Sequence, residues 1–268
     1  MKIMVINPPN NRSRREFQLR QADRLGLELE FVNGVSVGDL PSRVLQNAAN
    51  DWTRLIRAQD VACTFSHWSV WEKVANLDQK VCILEDDVLI SNSFKPVLSY
   101  IRSRPDEWNC VYDLEYAQKK HTLGKTPIWQ NAELSVEAHR IYKNKRGAAA
   151  YVLGPAAAQR LLDEAKHYHM MEGFLWTRKW MTQMQIEPCP VVQLDVLDPT
   201  ATFGENNVNP ANTMVFKNSS WVKAKLKRLS ISIGETPQVL SGATIGERRP
   251  LRMNPSEFCP PGVLNPET

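Results

Sequence analysis

The chain has 268 residues, of which 43% are hydrophobic and 23% charged, with a net charge of +4; this is the composition of an ordinary globular protein, long enough for one substantial core or two small ones packed together. It holds no run of about 18 uncharged apolar residues, and the opening Met1-Lys2-Ile3-Met4-Val5-Ile6-Asn7 is too short for the apolar segment of a signal peptide, so a cytosolic protein is expected. The cysteines, Cys63, Cys82, Cys110, Cys189 and Cys259, stand singly and odd in number, which suggests buried thiols rather than a zinc cluster or a disulfide framework.

In chain order, Ile3-Met4-Val5-Ile6-Asn7 reads as a buried strand. Pro8-Pro9-Asn10-Asn11 breaks it before Arg12, Arg14 and Arg15 open a helix. A second strand, Leu29 to Val35, ends in a turn at Asn33-Gly34, and strand-helix-strand order predicts an α/β sheet. From Asp60 to Ala75, Val61, Phe65, Trp68, Trp71, Val74 and Ala75 recur at helical spacing; Trp68 and Trp71 fall on that apolar face and are read as core. Val81-Cys82-Ile83-Leu84 is a short apolar run of central-strand length that feeds directly into Glu85-Asp86-Asp87. Val111-Tyr112, Ala149 to Leu153 and Val191-Val192 are further strand candidates, and Pro155 to Ala165 is a helix with proline in its first turn. Periodicity fades beyond Phe203, and prolines dominate beyond Ile233. The expected organisation is a domain over 1–202 followed by a basic, helical and Pro-rich appendage over 203–268.

Charge is unevenly spread. Lys217 to Arg252 carries eight basic and two acidic residues, so this stretch is expected to meet an anionic surface, either a membrane leaflet or a phosphorylated substrate. The absence of RNA-binding, zinc-finger and aromatic-basic patterns argues against nucleic acid.

Three carboxylates after a buried strand repel one another and resist desolvation unless a positive charge sits among them. A divalent cation would answer both problems, and in an extended segment Glu85 and Asp87 project to one side while Asp86 points to the other. Carboxylate oxygens select Mg²⁺ or Mn²⁺, and the end of a central strand is where open α/β sheets place ligands. The alternative is a solvated acidic loop.

Several ordered segments resemble glycosyltransferase family 25, whose bacterial members build lipopolysaccharide and lipooligosaccharide and whose animal relatives galactosylate collagen. They are Val5-Ile6-Asn7 with Arg12 and Arg14-Arg15, Leu25-Gly26 leading into Phe31 to Val35, the helix segment Ala62 to Trp71 with its Ser66-His67 pair, Ile83 to Asp87, and Gly147 to Tyr151 with Ala158 to Leu162. Ala62 stands where the family usually has Gly, Pro8-Pro9 replaces its Leu-led loop, and Glu172 sits where it tends to have Asp.

The resemblance implies a GT-A-like nucleotide-sugar-binding fold with a mixed central sheet flanked by helices. It also implies a UDP-sugar donor, usually UDP-galactose, and inversion at the anomeric carbon. Asp87 and Glu85 become the expected ligands of Mn²⁺ or Mg²⁺, with Asn7, His67, Asp86 and Gly147 at the donor site. Arg12 and Arg15 either touch the uridine or diphosphate or belong to a solvated first helical turn. His67 is read as a donor-site residue against a hydrogen-bonded core histidine, and Gly147 as a close backbone approach or a simple turn. Glu172 is the expected base, with Asp113 and Glu115 in reserve.

The expected function is hexose transfer, most readily of galactose, onto a lipooligosaccharide or lipopolysaccharide acceptor at the inner face of a bacterial inner membrane, docked through residues 217–229. The rival expectations are a nucleotide-sugar-binding module that has lost catalysis and a metal-dependent phosphohydrolase.

Overall fold

A computed structural model describes residues 1–49, 51–53, 55–144, 147–165, 170–198 and 221–259. Its strands are β1 (Lys2–Asn7), β2 (Leu29–Asn33), β3 (Val81–Glu85), β4 (Val88–Ile90), β5 (Cys110–Asp113), β6 (Glu115–Tyr116), β7 (His121–Gly124), β8 (Trp129–Asn131), β9 (Val136–Lys143), β10 (Ala150–Leu153), β11 (Thr182–Glu187), β12 (Val191–Gln193) and β13 (Gly246–Arg249). Its helices are α1 (Arg12–Leu25), α2 (Ser42–Ala49), α3 (Ala58–Ala75), α4 (Phe94–Ser103), α5 (Pro155–Glu164), α6 (Met171–Trp176), α7 (Leu194–Leu197) and α8 (Trp221–Ile245).

The main sheet runs in the order β13-β7-β9-β11-β5-β10-β3-β1-β2, and β4-β12-β6 form a small second sheet. β1 pairs in parallel with both β2 and β3, whereas β10 lies antiparallel to β3 and β5, so the sheet is mixed as expected. β1 and β3 are apolar at every interior position because both of their faces are covered. Met4, Ile6 and Ile83 meet Val70, Trp71 and Val74 of α3, Ala158 and Leu161 of α5 and Phe174 of α6; Ile3, Val5, Cys82 and Leu84 meet Phe94, Val97, Leu98 and Ile101 of α4. Trp71 is fully buried and Trp68 packs against the same core, in keeping with the apolar stripe of their helix.

The C-terminal region differs from the expected appendage. Residues 246–259 return to the body: β13 extends the main sheet beside β7, Leu251 enters the core below α3, and Phe258 packs with Phe17 of α1. A buried ion pair secures this return, since the fully buried Glu187 of β11 accepts from Arg249 Nη1 at 2.8 Å and from the Arg252 backbone N–H at 2.7 Å. Gly246-Glu247-Arg248-Arg249 has no apolar alternation because it is an edge strand held by charge, so a hydrophobic pattern passes over it. The predicted segment 203–220, including Lys217, lies outside the described residues, as do 260–268.

Candidate active site

β3 ends at Glu85, and the chain then turns through Asp86 and Asp87 into β4. This turn corrects the extended-segment expectation for the triplet. Asp86 and Asp87 converge on a single guanidinium, with Arg14 Nη1 2.9 Å from Asp86 Oδ1 and 3.1 Å from Asp87 Oδ2. Glu85 turns instead to α3, where its Oε1 lies 3.2 Å from His67 Nε2 and 3.6 Å from Cys63 Sγ.

α1 explains which arginine reaches the site. Asn11 caps the helix by accepting from the Arg14 N–H. Arg14, Gln18 and Gln21 then share one face at the i, i+4, i+7 spacing. Gln18 Nε2 donates to the carbonyls of Asp86 and Val88 at 3.0 and 2.8 Å, while Gln21 donates to Val88 O and accepts from Ile90 N–H. Both glutamines are fully buried and fix the turn from beneath. Arg15, about 100° round the helix, instead lies over the Phe31 ring at 4.0 Å. Neither Arg12 nor Arg15 lines the cavity beside the triplet, so of the arginines that open α1 it is Arg14 that reaches this site.

Asn7, buried at the end of β1, donates to Asp86 Oδ2 at 2.8 Å and to Asn11 O at 3.0 Å. It therefore orients the acidic turn and locks the start of α1. Ser66 accepts from Val35 N–H at 2.8 Å, tying the loop after β2 to α3. His67 is fully buried, with Nδ1 2.9 Å from the Tyr151 hydroxyl, which also accepts from Trp71 Nε1 at 2.8 Å.

Two cavities meet here. The first, about 800 Å³, is walled by Asn11, Arg14, the 35–38 loop, Ser66, His67 and Glu85 to Asp87. The second, about 690 Å³, is walled by Trp52, Met170, Glu172 at the start of α6, and Arg228 and Ile231 of α8. Arg57, Asp60 and Cys63 line both, so the cavities are neighbours at the start of α3.

Electrostatics follow from this packing. Burial, then the neighbouring Glu85 charge, push Asp87 up to about 7 against the opposing pull of Arg14. Burial likewise raises Asp86, against Arg14 and the Asn7 hydrogen bond. Burial also acts upward on Glu85, but the His67 hydrogen bond and charge, with help from Cys63 and Arg14, hold it below the usual carboxylate value. Among the described residues, Asp87 Oδ1 is buried with no hydrogen-bond partner. An orphaned hard oxygen at a cavity wall fits a Mg²⁺ or Mn²⁺ ion, and Asp87 is the residue that would hold one.

The reserve bases sit elsewhere. Asp113 is buried and accepts from the Glu115 N–H and from Asn144, at 3.0 and 3.1 Å; Glu115 is buried and accepts from the Ala149 N–H at 2.8 Å. Burial, and for Glu115 the adjoining Asp113, push both carboxyls well up, and neither lines the two cavities. Gly147 belongs with them rather than with the first cavity. Its φ is +80°, and a Cβ there would lie 2.8 Å from Glu115 Oε2.

The sequence matches the model of glycosyltransferase family 25 (LPS biosynthesis protein) across residues 1–176. The chain belongs to glycosyltransferase family 25. Relatives include human procollagen galactosyltransferase 2, 25% identical over 173 residues covering 60% of this chain and 27% of that protein. A glycosyltransferase 25 family member of Anopheles gambiae is 29% identical over 177 residues, covering 60% and 28%. This family 25 chain thus aligns with little more than a quarter of each relative's length. Among solved structures, a galactosyltransferase, LgtC, in complex with donor and acceptor sugar analogues is similar at a TM-score of 0.40 and 12% identity, over 72% of this chain and 86% of that one.

Proposed function

We propose that this family 25 protein is an inverting, GT-A-type glycosyltransferase that moves a hexose, galactose by preference, from a UDP-sugar to a lipooligosaccharide or lipopolysaccharide acceptor. One observation carries this reading: the cavity holding Asp86 and Asp87 and the cavity holding Glu172 adjoin, sharing Arg57, Asp60 and Cys63 as wall residues. A donor whose diphosphate lies by Asp87 and an acceptor that lies by Glu172 would meet at that junction.

A Mn²⁺ or Mg²⁺ ion, when bound, supplies positive charge that offsets the charge growing on the departing UDP. Asp87 would hold it through the unpartnered Oδ1, while Arg14 and Asn7 keep the acidic turn in place. Glu172 takes the proton from the attacking acceptor hydroxyl, whose oxygen then bonds to the anomeric carbon as the UDP oxygen leaves from the opposite face. Asp113 and Glu115 are excluded from that role by their burial and their committed hydrogen bonds.

Docking of the protein on the inner face of the inner membrane belongs to the same proposal. Among the described residues no helix is long and apolar enough to cross a membrane. Leu226, Leu229, Ile233 and Leu240 are exposed on α8 at spacings of three, four and seven, which sets them in one stripe. Lys227 and Arg228 face away from that stripe: Lys227 lies 3.0 Å from Asp51 Oδ1, and Arg228, which lines the second cavity, donates to Thr53 O at 3.1 Å.

Incubation of UDP-galactose with truncated lipooligosaccharides and Mn²⁺ tests the assignment. The expected product is heavier by one hexose and has the anomeric configuration opposite to that of the donor. A retained configuration would overturn the inverting step, and transfer from another UDP-hexose alone would overturn galactose.

A further inference from the structure

Cys63 and His67 stand four residues apart on α3 and therefore leave the same helix face one turn apart. Both reach Glu85 at the end of β3, and one ligand atom from each of the three residues lies within 4.8 Å of the other two. The Sγ–Oε1 and Nε2–Oε1 separations are 3.6 and 3.2 Å. A tetrahedral ion with bonds of about 2.0–2.3 Å to nitrogen, oxygen and sulfur sets neighbouring donor atoms roughly 3.3–3.8 Å apart. The two separations from Glu85 are thus already close to what such an ion requires, and the Cys63–His67 pair lies within 4.8 Å.

The surroundings point the same way. A metal-bound imidazole is oriented by a hydrogen bond from its other nitrogen, and His67 Nδ1 lies 2.9 Å from a Tyr151 hydroxyl that Trp71 holds in turn. All three residues line the larger cavity, which leaves a fourth position open to water or a ligand. Thiolate and imidazole donors select against Mg²⁺ and Mn²⁺ and in favour of the zinc class.

We infer that Cys63, His67 and Glu85 form a second, borderline-soft divalent-cation site of the Zn²⁺ type, separate from the hard-ion position at Asp87. On binding, the Cys63 thiol proton passes to solvent as the Sγ–metal bond forms. Neutral His67 ligates through Nε2 while its proton resides on Nδ1, facing Tyr151. The ion would sit in the wall of the donor cavity and hold Glu85 away from Asp87, so the two sites respond to different metals.

Cobalt titration of the metal-free, reduced full-length chain tests this. One equivalent of Co²⁺ is expected to give a thiolate-to-cobalt charge-transfer band and the visible bands of a four-coordinate ion. Stoichiometric Zn²⁺ should discharge both, and excess Mg²⁺ should discharge neither. The charge-transfer band should vanish in Cys63→Ser and persist in Asp87→Asn, the visible bands should shift in His67→Gln, and Tyr151→Phe should weaken Co²⁺ binding about 10–100-fold. Circular dichroism of each variant separates a lost site from a lost fold. Absence of the thiolate band in the wild-type chain, or its survival in folded Cys63→Ser on another of the free cysteines, would overturn the inference.

Discussion

Arg14 Nη1 lies 2.9 Å from Asp86 and 3.1 Å from Asp87, so one guanidinium is shared by two adjacent carboxylates at the end of a buried strand. That sharing lets the acidic turn exist without a metal: the chain brings its own cation, carried on the face of α1 that also holds Gln18 and Gln21 against the turn. Arg14→Met keeps the aliphatic stem and removes the charge. It is expected to weaken Mn²⁺ binding about 10–100-fold, as loss of a partner that orients a ligating carboxylate does. Calorimetric Mn²⁺ titration of both proteins checks this, and an unchanged affinity would show that Arg14 serves packing alone.

Asp87 fixes a pH dependence. Its carboxyl is raised to about 7 in the folded chain, above its unfolded value, so the stability it contributes is fully present below the unfolded pKa and is lost as pH rises through about 7. Asp87→Asn, neutral throughout, should therefore gain in melting temperature relative to the metal-free wild type between pH 5 and pH 8. Mn²⁺ affinity should run the other way, falling about tenfold per pH unit below 7 as a proton competes for Asp87. Thermal melts and metal titrations across that range read both effects; a flat difference between variant and wild type would contradict the burial argument.

Glu172 is expected to act on the acceptor and not on the donor. Glu172→Gln should lower kcat by roughly 10²–10⁴ while donor KM moves only a few-fold. A rise in donor KM with kcat intact would assign Glu172 to donor binding instead.

Gly147 is held by conformation and by space, with φ at +80° and Glu115 beneath it. Gly147→Ala should cost about 1–3 kcal/mol in denaturant unfolding through strain and displacement of the Glu115 carboxylate. Its donor KM should be unchanged, which separates this account from a glycine kept for close approach to the sugar nucleotide.

The parts of the fold that were legible are those where burial imposes a pattern. Val81 to Leu84 is apolar throughout because α3 and α4 cover opposite faces of the sheet, and Val61, Trp71 and Val74 repeat at helical spacing because only one side of α3 is buried. The polar half of the site was less legible. Arg12, Arg14 and Arg15 look alike in sequence, and only the phase of α1, set by its Asn11 cap, sends Arg14 inward and Arg15 onto Phe31. The i, i+4, i+7 spacing of Arg14, Gln18 and Gln21 was the available signal, but buried glutamines spend their amides on backbone carbonyls and read as a solvated face. Arg57 and Asp60, which line both cavities, and Trp52, which lines the second, carry no motif at all, because they come together only through the packing of α3 against α2 and α6.

The central claim is that Asp87 supports metal-dependent use of a nucleotide sugar. UDP release from a panel of UDP-hexoses, with Mn²⁺ or EDTA, by the wild-type chain and Asp87→Asn tests it most directly. The account predicts release from one UDP-hexose with acceptor present, abolished by EDTA and by the substitution. Release that persists in EDTA, or UDP binding without turnover of any donor on lipooligosaccharide acceptors, would contradict it; the second result would mark the chain as a nucleotide-sugar-binding module.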